Sequence, residues 1–237
     1  MTKNAKTSRI ETITIGDRAV EIAIRRSPRA RCIALRIDPA IGGAEIVLPP
    51  GASESEGLAF VATRGGWLLD RLDQMPRRIT FKDGVAIPLY GEATVIRHAP
   101  DKKIGVALED NQLVVGGREE HLARRLKDWL RRDARRVISP LAWALADGLG
   151  QKPARISIRD QRSRWGSCSS TGALSFNWRL VLAPPFVLEY VTAHEVAHMQ
   201  EMNHSPAFWS VVNDLTAHCV TGRKWLKTNG GGLHSYG

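Results

Sequence analysis

The chain is poor in cysteine, in acidic charge and in long apolar runs. Its three cysteines, Cys32, Cys168 and Cys219, are odd in number and widely spaced, which makes a poor disulfide framework and an unlikely cysteine zinc site. Apolar stretches such as residues 141–145 are far too short to cross a bilayer. Residues 1–9 are basic and polar with no apolar run behind them, so no secretory signal is expected. These absences point to a chain in the reducing cytoplasm with no membrane partner. Asp and Glu number 24 against 34 Lys and Arg, a net charge of +10. Such an excess favours contact with an acidic partner, nucleic acid among them, without naming it. The acidic shortage is sharpest at the end: beyond Glu201 there is no glutamate, and Asp214 is the only carboxylic side chain.

What the chain has is an ordinary globular composition, 43% hydrophobic over 237 residues, enough for one large domain or two small ones. Residues 10–15 and 19–24 alternate apolar with polar around Gly16-Asp17, and 31–37 and 44–48 continue the pattern, so a small antiparallel sheet is expected. Ser53 and Glu56 form a capping box opening a helix to about Gln74, with Leu58, Val61, Leu68, Leu69 and Leu72 facing a core and Trp67 packed with them. Pro76 should stop it. Strands are then expected at 79–81, 85–89, 93–98, 104–108 and 112–115.

Gly116-Gly117 marks the expected domain boundary, giving a β-rich domain over 1–117 and a second domain over 118–237. A long amphipathic helix over 119–146 follows, which Pro140 should kink or split. Its other face carries Arg124, Arg125, Lys127, Arg131, Arg132, Arg135 and Arg136, a surface able to follow phosphates or simply to face solvent. Residues 155–160 and 173–182 are expected as strands, joined by a polar, glycine-containing loop over 161–172.

The chemistry lies in residues 192–204. Pro184-Pro185 fits the first turn of a helix that continues to about Gln200. His194 and His198 then lie one turn apart on one face, able to share a cation, and Glu195 is placed to act as general base on a water bound to it. Many zinc proteases with this motif take a downstream glutamate as third ligand, and here there is none. His204, His218, Asp214 and His234 remain. His204 follows His198 by six residues, the metzincin separation, but Glu201 stands where metzincins need glycine and no Met-turn follows. The spacing therefore supports His204 as ligand of one zinc ion without a metzincin assignment. Asn203 is the expected left-handed residue of the turn. Asp214 and Glu201 are candidate acceptors for the ligands' second N–H groups. Tyr190, His218, Arg164 and Arg179 are candidate donors to a developing oxyanion, and a substrate peptide is expected to add to the edge of the 173–182 sheet.

Ser163-Arg164-Trp165-Gly166-Ser167-Cys168, Asn177-Trp178-Arg179-Leu180, His194-Glu195-Val196-Ala197-His198 and Asn203-His204-Ser205-Pro206-Ala207-Phe208-Trp209 resemble the YgjP-like metallopeptidases, a bacterial group related to SprT-like and WLM zinc proteases. The resemblance covers nearly the whole chain. It implies an α+β protein in which a compact zincin-like domain with an H-E-x-x-H helix follows the β-rich one. Zinc would be held by His194, His198 and His204, with Glu195 as catalytic carboxylate and a peptide or protein as substrate. Two rivals remain: a nucleic-acid-associated protein with a structural metal, and a protease directed at DNA-bound proteins.

Overall fold

The computed structural model describes residues 9–38, 41–74, 78–103, 105–161 and 164–237. The expected helix stop at Pro76, the strand start at Ile104 and the loop positions Arg162 and Ser163 lie outside them. The architecture is α+β, with most strands in the first part of the chain and most helices after them. The chain divides into two compact units, one ending at Arg78 and the other spanning Ile79–Gly237. The boundary expected at Gly116-Gly117 therefore falls inside the second unit. The reason is burial: Ile87, Leu89, Ile96, Leu113 and Val115 share one core with Leu122, Leu126 and Leu130 of the following helix, so the sheet before the glycines cannot be separated from the helix after them.

In the first unit, β1 (Arg9–Ile15) and β2 (Arg18–Arg26) form the expected hairpin, turned at Gly16 with φ +64°. With β3 (Ala34–Asp38) and β4 (Gly43–Leu48) the sheet has the order β1-β2-β4-β3, but β2 and β4 pair in parallel, so it is mixed rather than wholly antiparallel. The Ser53 capping box is present, with the Ser53 amide donating to Glu56 at 2.7 Å and the Glu56 amide donating to the Ser53 hydroxyl at 3.1 Å. The helix it opens is two helices, α1 (Glu54–Thr63) and α2 (Gly65–Asp73). Two glycines weaken the helix at the break, and Gly65 is pressed on Ile15, where an added Cβ would sit 2.6 Å from a methyl. Leu68 and Leu72 face the core, while Trp67 is 44% exposed instead of packed with them.

In the second unit, β5 (Ala86–Leu89), β6 (Glu92–Ala99), β7 (Val106–Glu109) and β8 (Gln112–Gly116) have the order β5-β6-β8-β7. The first unit's sheet has the same order, and its parallel and antiparallel pairings recur in sequence. The chain thus uses one four-strand topology twice, a repeat that the sequence analysis did not detect. Helix α3 (Leu122–Gly148) runs through Pro140 without splitting. Leu126, Leu130, Ala134, Ile138, Ala142 and Ala146 are all fully buried at four-residue spacing, and that continuous packed stripe offsets the one hydrogen bond the proline removes.

The polar face of α3 is largely tied down. Arg124 meets Asp128, Arg136 meets Asp133, Arg125 donates to the Gly116 carbonyl, and Lys127 and Arg131 converge on Asp160 with Arg179. Burial would raise the Asp160 carboxyl, but hydrogen bonds and charge from Arg179 and Lys127 outweigh it and hold the group far below the usual carboxylate range. A carboxyl depressed on folding stabilises above its unfolded pKa of about 3.9 and loses that contribution as pH falls toward the native value. Asp160→Asn should accordingly cost about 2 kcal/mol at neutral pH, because it strands the buried Arg179 guanidinium. Urea denaturation of the two proteins should converge in strong acid; a gap that does not change with pH would refute the assignment.

The last sheet is small: β9 (Arg155–Arg159), β10 (Gly166–Cys168) and β11 (Ala173–Asn177) in the order β10-β11-β9. The strand expected over 173–182 ends at Asn177, and Trp178–Leu182 form a short 3-10 helix. Asn177 causes the turn, its side-chain carbonyl accepting the Arg179 amide at 3.0 Å while its NH2 donates to the Gln161 carbonyl at 2.6 Å. Every side chain from Trp178 to Leu182 is buried, so apolar alternation there did not distinguish strand from helix. Helices α4 (Pro185–Ala197), α5 (Pro206–Leu215) and α6 (Cys219–Leu233) complete the chain. No helix among the described residues is long and apolar enough to cross a membrane.

Candidate metal centre

Helix α4 starts at Pro185, whose fixed φ suits a first turn, and buries Val187, Leu188, Val191, Ala193 and Val196. This burial fixes the face on which His194 and His198 stand. Their rings are 5.0 Å apart and nearly perpendicular. His198 caps the helix, and the chain returns through a turn so that His204 lies 5.0 Å from the His194 ring and 4.8 Å from the His198 ring. One ring nitrogen from each of the three lies within 4.8 Å of the others.

Asn203 is absent from the residues with positive φ, so the expected left-handed turn residue is not there. It shapes the turn through its side chain instead, accepting the Ser205 amide at 3.2 Å, and the Ser205 hydroxyl caps α5 by accepting the Phe208 amide at 3.2 Å. Phe208, fully buried, stands 4.9, 4.5 and 4.8 Å from the rings of His194, His198 and His204. It is the common floor of the triad. Helical spacing alone does not reveal what a buried ring such as Phe208 supports.

His198 Nδ1 lies 3.0 Å from the Glu201 carbonyl, which fixes the tautomer with the proton on Nδ1 and leaves Nε2 as donor atom. Glu201 thus contributes its backbone, not its carboxylate, and Asp214 lies on the exposed side of α5. His194 Nδ1 is buried with no hydrogen-bond partner among the described residues. Burial first, then the charges of His198, His204 and Arg223, push His194 down to about 4, and burial also lowers His198. Both are therefore neutral at neutral pH with lone pairs to offer. His194 Nε2 and His204 Nε2 are 3.1 Å apart, close to the ~3.3 Å between two imidazole donors in a tetrahedral zinc shell. The donor set fits a zinc ion.

Glu195 is 6% exposed, and burial, only partly opposed by the charge of Arg164, raises its carboxyl to about 7. Strand β10 lies directly against it. A Cβ on Gly166 would sit 2.4 Å from Glu195 Cγ and 2.6 Å from Oε1, so only glycine lets the strand and the carboxylate approach this closely. Residues 161–172 read in the sequence as a single loop, and nothing local marks this role of Gly166. A cavity of about 230 Å³ joins Arg164, Trp165, Gly166, Tyr190, Val191 and Leu226 to His194 and Glu195. Of the four candidate oxyanion donors, Tyr190 and Arg164 line this cavity. Arg179 is buried on Asp160 and the Tyr236 carbonyl, and His218 lies against Glu189 and Phe186. His234, once a candidate ligand, stacks on Trp165 at 4.5 Å.

A short helix-borne pair of histidines, a third histidine just beyond it and a buried glutamate beside them define a metallopeptidase-type centre. The family described as "YgjP-like, metallopeptidase domain" matches residues 31–229, and the chain belongs to that family. It is a hydrolase of the metallopeptidase class. A comparison with curated proteins gives no match. Among solved structures, the metallopeptidase zymogen of Pyrococcus abyssi abylysin is 22% identical, over 39% of this chain and 96% of that one, with a TM-score of 0.34.

Proposed function

We propose that His194, His198 and His204 hold a single zinc ion and that Glu195 is the general base in hydrolysis of peptide bonds. The observation that carries this reading is the convergence of three imidazole nitrogens beside a buried carboxylate in one cavity. Zinc, when bound, supplies a Lewis acid that polarises the scissile carbonyl and makes water nucleophilic near neutral pH. Glu195 accepts the proton of the attacking water and delivers it to the leaving amine; a carboxyl raised toward neutrality suits both directions of transfer. Tyr190, which burial keeps protonated by pushing its phenol up to about 12, and Arg164 offer donors for the oxyanion.

The substrate backbone pairs with β10. In the sheet expected to dock the peptide, β11 is the middle strand, whereas β10 is an edge strand lying on Glu195. Main-chain pairing there carries a peptide past the metal site whatever its side chains. Gly166→Ala should lower kcat/KM by ~10²-fold, since the added methyl, 2.4 Å from Glu195 Cγ, pushes the carboxylate out of its catalytic position. Zinc content should hardly change, while overpacking against the buried Glu195 should cost about 1–3 kcal/mol of stability. Undiminished turnover in this variant would remove the close approach of Gly166 to Glu195 from the reaction.

The reading as a whole is tested by measuring metal in the purified chain and its cleavage of an unfolded protein such as reduced casein. One zinc per chain, cleavage that stops on chelation, and recovery on adding zinc are expected. A zinc-loaded chain that cuts nothing across a broad panel of unfolded substrates would end the peptidase reading.

A further inference from the structure

The first unit carries a groove of about 320 Å³ lined by Ile33, Ala34, Leu35, Phe60, Arg64 and Trp67. One wall is strand β3, an edge strand whose outer side pairs with no strand among the described residues. Successive strand residues point to opposite faces. Three consecutive residues can therefore line one groove only if the backbone edge itself forms part of the wall. The other wall is helical: Phe60, Arg64 and Trp67 follow at intervals of four and three residues, one face continued across the break between α1 and α2. Trp67 is 44% exposed there, and Arg64 lies over the Phe60 ring at 5.8 Å with no ion pair among the described residues.

We propose that this groove binds an extended, acidic segment of a polypeptide by strand addition to β3. A row of unpaired amides and carbonyls is complemented by another peptide backbone, and alternate apolar side chains of that segment enter between Ile33, Leu35, Phe60 and Trp67. Arg64 in the groove, the exposed Arg36 on the strand and the exposed Arg31 just before it favour acidic residues in the occupant. The same arginines argue against a second copy of this chain, because β3 pairing with β3 would bring like charges together. The topologically equivalent edge strand β7 also borders a cavity, but there the strand contributes Leu108 alone, and beside Tyr90 and Trp129 the lining carries the ion-paired Asp133 and Arg136 with Arg132. It does not offer a strand edge flanked by apolar groups. The proposal deepens the peptidase reading, resting on it for the identity of the occupant as substrate, while binding itself needs no catalysis.

The probe is a fluorescein-labelled synthetic octapeptide, Glu-Val-Thr-Leu-Asp-Val-Thr-Leu, titrated into the full chain carrying Glu195→Gln so that it is not cut. Saturable binding is expected, with slowed amide exchange at Ala34–Asp38. Trp67→Ala should weaken it by ~tenfold or more. Arg64→Glu should weaken it similarly and favour a peptide with lysine in place of its acidic residues, which a folding defect would not do. N-methylation of alternate peptide amides should abolish binding. Equal affinity for the N-methylated peptide, an unchanged affinity in Trp67→Ala, or no binding at all would overturn the proposal, as would self-association of the chain that Trp67→Ala abolishes. Peptide binding by a chain that hydrolyses nothing would leave this groove standing and the peptidase reading refuted.

Discussion

Glu195→Gln is expected to retain zinc at the wild-type level and to lose kcat on the order of 10³-fold. Gln keeps the shape of the side chain in contact with Gly166, so the cavity beside His194 persists and none of the three imidazole donors is disturbed. What it removes is the capacity to accept a proton. The carboxyl it replaces is raised to about 7 by burial against the weaker opposing charge of Arg164, so in metal-free protein it is half protonated near neutrality. If the neighbouring histidines hold a cation as proposed, its charge would bring the carboxyl back down and place the acid limb of the holoenzyme's pH profile below 7. The same group has a stability signature of opposite sense to Asp160. Its native value lies above the unfolded ~4.3, so the folded chain holds more protons between about 4 and 7 and loses stability as pH rises through that window. Metal-free Glu195→Gln should therefore be more stable than metal-free wild type at pH 8, and equal to it below about pH 4. Full activity in the Gln variant would remove Glu195 from the chemistry, while reduced stability at pH 8 would contradict the burial cost assigned to it.

The legibility of this chain in its sequence followed the range of the interactions concerned. His194, Glu195 and His198 lie within one turn of α4, and His204 is brought back by a short turn closed by Asn203 and Ser205. Local spacing was enough to group them. The Ser53 capping box and the Gly16 turn were visible for the same reason. The domain boundary was not, because it depends on whether β5–β8 bury their residues against α3, a question of long-range packing that a Gly-Gly pair does not answer. Trp67 was assigned to the core as a large aromatic on an amphipathic helix. The break at Arg64 and the contact of Gly65 with Ile15 set which face of α2 is buried, and both are tertiary facts. Residues 178–182 looked like a strand because every side chain there is buried, which erases the difference between a two-residue and a three-residue period. Gly166 was legible only as a loop glycine until the carboxylate it accommodates was located.

Substitution of His204 by Ala separates the metal from the fold more cleanly than either helical histidine does. His204 is exposed and lies in the connection between α4 and α5, whereas His194 is half-buried between Tyr190 and Phe208. In metal-free protein, His204→Ala should change stability little, and His194→Ala should cost ~1–3 kcal/mol from the cavity it leaves. If the three histidines hold zinc as proposed, the order disappears in zinc-loaded protein, because each would be needed to complete the three-donor set. Each replacement should weaken zinc by more than the 10–100-fold typical of losing a second-shell partner, an order-of-magnitude floor. Hydrolysis should fall with occupancy. A ligand present at about a thousand times its Kd stabilises the native state by ~4 kcal/mol, which for a chain of this size is roughly a 10 °C rise in Tm. Zinc should produce that rise in wild type and in Glu195→Gln, and fail to produce it in His204→Ala. Retention of one tightly held zinc by His204→Ala would mean that the third donor lies elsewhere. His218 and His234, the other downstream histidines, are held instead by Glu189 with Phe186 and by Trp165, and moving either ring to the metal would require breaking those contacts.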